Sequence, residues 1–229
     1  MLIKAGFMAG ALSGSAGGIT ASHNKGGQYF RLRSIPTNPS SIAQQNVRAI
    51  LAAQSQGWAD RTDAERGAWE NWAQENPITN ALGDSILMSG HQAYIQINAR
   101  LAFDGQAVLT VPPIVNAPAA LTSFTQRGDI GAGAVQAEFG ATPLPANVQL
   151  WQTAAVTNSA GIRFIKNLLR FVGVAPAAQA SPFDNQSLIE AVFGTLIVGQ
   201  TLTVRAATFD VTTGLLSVPL ESRVVITTT

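Results

Sequence analysis

TLTVRAATFDVTTGLLS, residues 201–217, decides how the C-terminal half of this chain is read. Leu202, Val204 and Ala206 alternate with Thr201, Thr203 and Arg205, the period-two pattern of a strand with one buried face. Asp210-Val211-Thr212-Thr213-Gly214 then supplies turn residues, and the chain returns through Leu215 and Leu216. Runs of the same texture occur at 121–125, 135–139, 148–153, 164–172, 188–193 and 223–226, with turn residues between them. Together with 202–209 they predict an antiparallel β-sandwich over residues 119–229, with Trp151 on its third strand.

Upstream the texture changes. VLTVPPIVNAP, within residues 106–118, reads as a Pro-rich, extended linker. Before it, residues 39–105 predict a three-helix domain. Ser40 or Asn38 caps the first helix, whose Ala43, Val47, Ile50, Leu51 and Trp58 fall on one face. Thr62-Asp63-Ala64-Glu65 is a capping box: the hydroxyl accepts from the N–H of residue 65 while the carboxylate reaches back to the N–H of residue 62. Trp69, Trp72 and Ala73 follow as an apolar stripe, closed by Pro77. Ser89 and Gln92 repeat the box ahead of Tyr94, Ile97 and Leu101.

Residues 1–38 predict an extended, glycine-rich arm containing a β-hairpin. Its strands, 19–21 and 28–33, are joined by His23-Asn24-Lys25-Gly26-Gly27, which offers the left-handed positions that a tight reversal needs. Alternation puts Tyr29, Arg31 and Arg33 on one face of the second strand, with Phe30 and Leu32 on the other. Ile35-Pro36-Thr37-Asn38-Pro39 ends the extended segment. His23, Lys25, Tyr29, Phe30, Arg31 and Arg33 are the candidate partner-binding residues. The fold class is thus α+β: a hairpin arm, a small helical unit and a sandwich.

Composition narrows the function. Charged residues make up 12% of the 229, about half the usual share, and the net charge is +1. So little charge does not keep copies apart, which favours an oligomer or a lattice. It also provides no global field for nucleic acid. No uninterrupted apolar run of about 18 residues is present, so a membrane span is not expected. The first residues have a Lys before an apolar stretch, as a signal peptide does, but Gly6 and Gly10 interrupt that stretch. The chain has no cysteine, which excludes disulfides and thiolate chemistry.

Catalytic patterns are each missing a required part. His23 and His91 lack the spacing of a metal site, so neither a metal nor a cofactor is expected. Ser13 and Ser15 sit among glycines without the Gly-x-Ser-x-Gly elbow. The glycines of residues 10–27 lack the Gly-Lys-Ser or Gly-Lys-Thr ending of a phosphate loop. Asp63 and Glu65 are accounted for by capping, and Asp129, Asp184 and Asp210 stand beside turn residues that such side chains commonly bond. A non-enzymatic role is expected.

The runs GGITASHNKGGQYFRLRSIPTNP (17–39), QQNVRAILAAQSQGW (44–58), RTDAERGAWENWAQENP (61–77) and MSGHQAYIQINARL (88–101) together resemble a family of virion structural proteins of tailed phages. This resemblance covers residues 10–104. It implies a virion location, synthesis in the host cytoplasm, and major capsid protein, other virion proteins or further copies of the chain as partners. It implies no catalytic or binding residues. VRAATFD, a turn and GLLS resemble the final strand pair of a fibronectin type III-like domain, and seven strands is the immunoglobulin-like count; that likeness covers residues 117–229 and implies fold alone. The expected role is capsid decoration or cement, with a tail or head-to-tail adaptor as the alternative. A carbohydrate-binding or adhesive module is a third reading, which requires Trp151 and Phe183 to be exposed on one face.

Overall fold

The computed structural model describes residues 2–3, 13–24, 27–35, 37–79, 85–131, 133 and 135–228. Among these, four helices and antiparallel sheets set the class as α+β. By compactness the chain divides into Met1–Gln45 and Asn46–Thr229.

The first unit is a four-stranded sheet. Strands β1 (Leu2–Ile3), β2 (Gly14–Ala16), β3 (Ile19–Asn24) and β4 (Gly27–Leu32) lie in the order β1-β4-β3-β2. The expected hairpin is β3 with β4, in register from Ile19↔Leu32 to Asn24↔Gly27. Its first strand is longer than 19–21, and Lys25 and Gly26 lie outside the described residues, as does Pro36.

Helix α1 (Ile42–Ala59) starts one residue after Ser41, whose hydroxyl accepts from the Gln44 N–H at 3.4 Å. Ser41 therefore takes the capping place expected of Ser40 or Asn38. Both capping boxes form as the spacing dictates. In α2 (Asp63–Glu75) the Thr62 N–H donates to Glu65 Oε2 at 2.8 Å while Thr62 Oγ1 accepts from the Glu65 N–H at 3.3 Å. In α3 (Gly90–Phe103) Ser89 and Gln92 make the same exchange at 3.1 and 3.3 Å. Between these two helices β5 (Ile78–Thr79) pairs with β6 (Ser85–Ile86). Trp69 is fully buried and its ring meets that of Tyr94 edge-on at 5.4 Å.

Residues 106–118 were expected to separate two domains, and they do not. Trp69 Nε1 donates to the Thr110 carbonyl at 2.9 Å. Asn98, fully buried on α3, donates to the Leu109 carbonyl at 3.0 Å and accepts from the Leu109 N–H at 2.6 Å. A side-chain amide thus replaces a strand neighbour for that backbone, fastening the segment to the helices.

The C-terminal sheet is ordered β10-β9-β12-β13, from β9 (Val148–Thr157), β10 (Arg170–Ala175), β12 (Thr201–Asp210) and β13 (Leu220–Val225). A three-stranded sheet, β7 (Phe124–Gln126), β8 (Gln136–Phe139) and β11 (Phe183–Asp184), is ordered β11-β8-β7. Leu150, Ala206, Phe139 and Ala175 share one cluster between the two sheets; Ala154, Leu202, Val204 and Ile189 share a second. On the opposite face of the four-stranded sheet, Phe209 joins Trp69, Tyr94, Ile97 and Leu101 in a third. The helices and the sheets therefore have a common core.

Two expected strands are corrected. Residues 188–193 belong to helix α4 (Gln186–Phe193), because Leu188, Ile189, Val192 and Phe193 recur at helical spacing and only Ile189 is buried. Asn185, next to its start, leaves its side chain uncapped and buries it instead against Gln126 and Gln152 (2.7–3.0 Å). Residues 164–169 form turns around the buried Ile165, whose carbonyl accepts from Leu168 and Leu169, and the strand begins at Arg170. Trp151 faces the helices rather than the space between the sheets, since its neighbours Leu150 and Gln152 point the other way.

Gly214 brings the β12–β13 turn against α3 with φ +69°; a Cβ there would lie 2.9 Å from Ile97 and Leu101 side-chain atoms. Gly199 has φ +88° and open space around it. Gly199→Ala should cost about 1 kcal/mol, the left-handed penalty alone, and Gly214→Ala clearly more, as read from urea unfolding. Thr62→Ala should cost about 1 kcal/mol at neutral pH. The Glu65 carboxyl is held below its ordinary value first by the Thr62 backbone N–H and then by its hydroxyl. A lowered folded value means that this contribution is present above the ordinary glutamate range and lost as pH falls through the lowered value. Alanine keeps the residue-62 N–H and removes only the hydroxyl that donates to Glu65 Oε2 at 3.0 Å, so the part of the gap carried by that hydroxyl–carboxylate bond should shrink in acid.

Candidate interaction surface

Register sorts the N-terminal sheet into two unlike faces. Directly opposed residues share a face in an antiparallel pair. Ala16↔Ile19, Ile19↔Leu32 and Ala21↔Phe30 therefore put an apolar set on one side. Ser15↔Thr20, Thr20↔Arg31 and Ser22↔Tyr29 put hydroxyls and a guanidinium on the other. A hollow of about 450 Å³ lies on this sheet, with Ala16, Ile19, Ala21 and Phe30 among its walls.

Of the expected partner-binding residues, Tyr29 and Arg31 share the polar face. His23 is opposite Gln28 and belongs with Ala21 and Phe30 on the apolar face, so these residues do not form one surface. Arg33 follows β4 and is exposed, its N–H bonded to the Gly18 carbonyl at 2.8 Å. Lys25 lies outside the described residues. Phe30 and Tyr29 are half-buried.

None of residues 13–23, 28–35 and 37–41 is buried. Leu32 is 82% and Ile19 51% exposed, and α1 continues the trend with Ile42 at 78%. Covering one such side chain is worth about 1.5–3 kcal/mol, which Ile19 and Leu32 largely forgo. Along α1 only Gln54 is buried, and cover returns at Trp58, which packs on Tyr94 and His91 at 5.4 Å each. His91 is thus a ring-packing residue at the helix start, half-buried.

A second surface lies on Asn46–Thr229. Phe103, Trp151 and Phe171 meet edge-on at 5.1–5.9 Å, and Trp151 leans on Phe209 at 4.3 Å. With Val47, Leu51 and Arg100 they line a hollow of about 280 Å³. Burial lowers the Arg100 guanidinium below its ordinary value. Phe183 belongs to the cluster between the sheets, so Trp151 and Phe183 do not share a face. The signal that sequence reading missed is spatial: Phe103 and Phe171 are far apart in the chain and converge only through the pairing of β9 with β10 beside α3.

The turn carboxylates serve the backbone. Asp129 Oδ1 accepts from the Gly131 N–H at 3.0 Å, Asp184 Oδ1 from Gln186 at 3.0 Å, and Asp210 Oδ1 from Thr212 at 2.8 Å. Among the described residues no group of three His, Asp or Glu is placed to hold a metal ion, and no helix is long and apolar enough to cross a membrane. Comparison with family models, with curated proteins and with solved structures returns no match.

Leu32→Ser should leave unfolding of the body unchanged within about 0.5 kcal/mol, as for an exposed site. It should also reduce binding of an apolar dye to the full chain. A large loss of body stability, measured by urea titration of the Trp fluorescence, would mean that Leu32 is covered in solution.

Proposed function

We propose that this chain is a non-enzymatic structural protein of a tailed-phage virion, of the capsid decoration or cement kind. Its N-terminal sheet and the exposed turns of α1 act as an anchoring arm on other virion subunits, and the C-terminal sheets form an immunoglobulin-like, fibronectin III-like module carried by that anchor. The observation behind this reading is a sheet in which none of residues 14–23 and 28–32 is buried and whose register divides it into one apolar and one hydroxyl-rich, cationic face. A partner can cover the apolar side chains on one face of such a sheet, and an edge strand can accept a strand from a neighbour. Supporting the module are two antiparallel sheets that share apolar clusters. Charge as sparse as 12% suits a protein that works packed against others. An adaptor at the head-to-tail junction uses the same surfaces, and the position of the chain in particle images separates the two.

The deciding experiment is mass spectrometry and electron microscopy of particles from the phage or prophage that encodes this chain. The chain is expected in purified particles at a fixed copy number. Deleting residues 1–34 should abolish incorporation while circular dichroism of the truncated protein still reports folded sheet. Absence of the full chain from particles, or normal incorporation of the truncated one, would refute the reading.

A further inference from the structure

Charge is segregated along this chain in a way that its net value of +1 conceals. Residues 1–59 carry five of the fourteen Lys and Arg and none of the thirteen Asp and Glu. Residues 60–229 carry the other nine Lys and Arg against all thirteen acids, a net of −4. Residues 1–59 are therefore purely cationic and residues 60–229 net anionic. Arg31 and Arg33 are exposed and take no part in the ion pairs found among the described residues.

The body holds a place built for such a cation. Helix α2 ends at Glu75 with no basic residue in its last turn. Carbonyls at a helix C-terminus carry partial negative charge, so an acid there is unfavourable and a cation favourable. Glu75 is exposed and also outside the ion pairs found. Beside it a groove of about 390 Å³ runs between α2 and residues 112–116, with Asn71, Trp72, Glu75, Asn76, Ile114 and Val115 among its walls. A carboxylate, two side-chain amides and an indole at one helix end match the needs of a guanidinium, which takes charge-assisted hydrogen bonds in its plane and stacks on an aromatic face. An ammonium would satisfy the charge but not the plane.

We propose that the N-terminal sheet of one copy docks through Arg31 and Arg33 into the α2 groove of a second copy, against Glu75 and Trp72. This deepens the assembly role proposed above and rests on it. The donor and receptor patches differ, so the contact is heterologous and generates a ring or an open array rather than a closed two-fold dimer. Opposite charge on the two patches steers encounter and opposes pairing of like patches.

Sedimentation velocity on the full chain tests this with charge reversal. Wild type should self-associate, and more weakly at high salt. R31E/R33E should weaken association at least about tenfold, and so should E75R. Mixing the two variants should restore association, because the reversed arm of one meets the reversed groove of the other. The chain's lack of cysteine allows a second measurement that does not depend on reversal: R33C mixed with E75C, under mild oxidation, should yield a disulfide-linked pair of chains. Failure of wild type to associate, wild-type association of E75R, no gain on mixing, or a cross-link confined to one chain of the R33C/E75C double variant would each overturn the proposal. If E75R associates normally while deletion of residues 1–34 still abolishes particle incorporation, this docking is wrong and the assembly role stands. If that deletion has no effect on incorporation, the assembly role itself falls.

Discussion

The pairing of β9 with β12 is the constraint on which the body depends. Ten residues of each are in register, from Thr201↔Thr157 to Asp210↔Val148. Alternation along this ladder gives the sheet two apolar faces rather than one. Leu150, Ala154, Leu202, Val204 and Ala206 look toward β7, β8 and α4, while Trp151 and Phe209 look toward α2 and α3. A one-residue slip would exchange every one of these, so a single register aligns both layers at once. Asn185 bonds both Gln126 on β7 and Gln152 Oε1 on β9 where all three residues are buried, which ties the two sheets together at the start of α4.

The N-terminal sheet differs from that body by the same criterion. It has pairing, register and an apolar face, and none of residues 14–23 and 28–32 is buried. Backbone hydrogen bonds alone leave a net contribution too small to offset the ordering of the strands. Exposed Ile19 and Leu32 next to exposed Arg31 and Arg33 are the combination on which the proposed assembly role rests. The acids of the body add to this contrast, since several are engaged by backbone N–H groups or by Arg61, Arg66, Arg127 and Arg205.

The sequence by itself determined what depends on near neighbours. Both capping boxes, the alternation at 201–210 and the turn at Asp210 are set by residues within a few positions of one another and form where the spacing puts them, and β3 pairs with β4 as expected but over 19–24 and 27–32 in place of 19–21 and 28–33. The separation of positive from negative charge was equally legible, as a count, although the small net value masks it. Only the tertiary structure decided the rest. The short apolar run at 188–193 fits strand and helix alike until Ile189 finds its cluster. Residues 106–118 have the composition of a linker, but Asn98 and Trp69 bind their backbone from a distance in sequence. Which side of β9 carries Trp151, and that Glu75 shares a groove with residues 112–116, follow from packing between elements remote in the chain. Local pattern fixes an element's kind and its faces; what each face meets is fixed by the competition of all faces for cover.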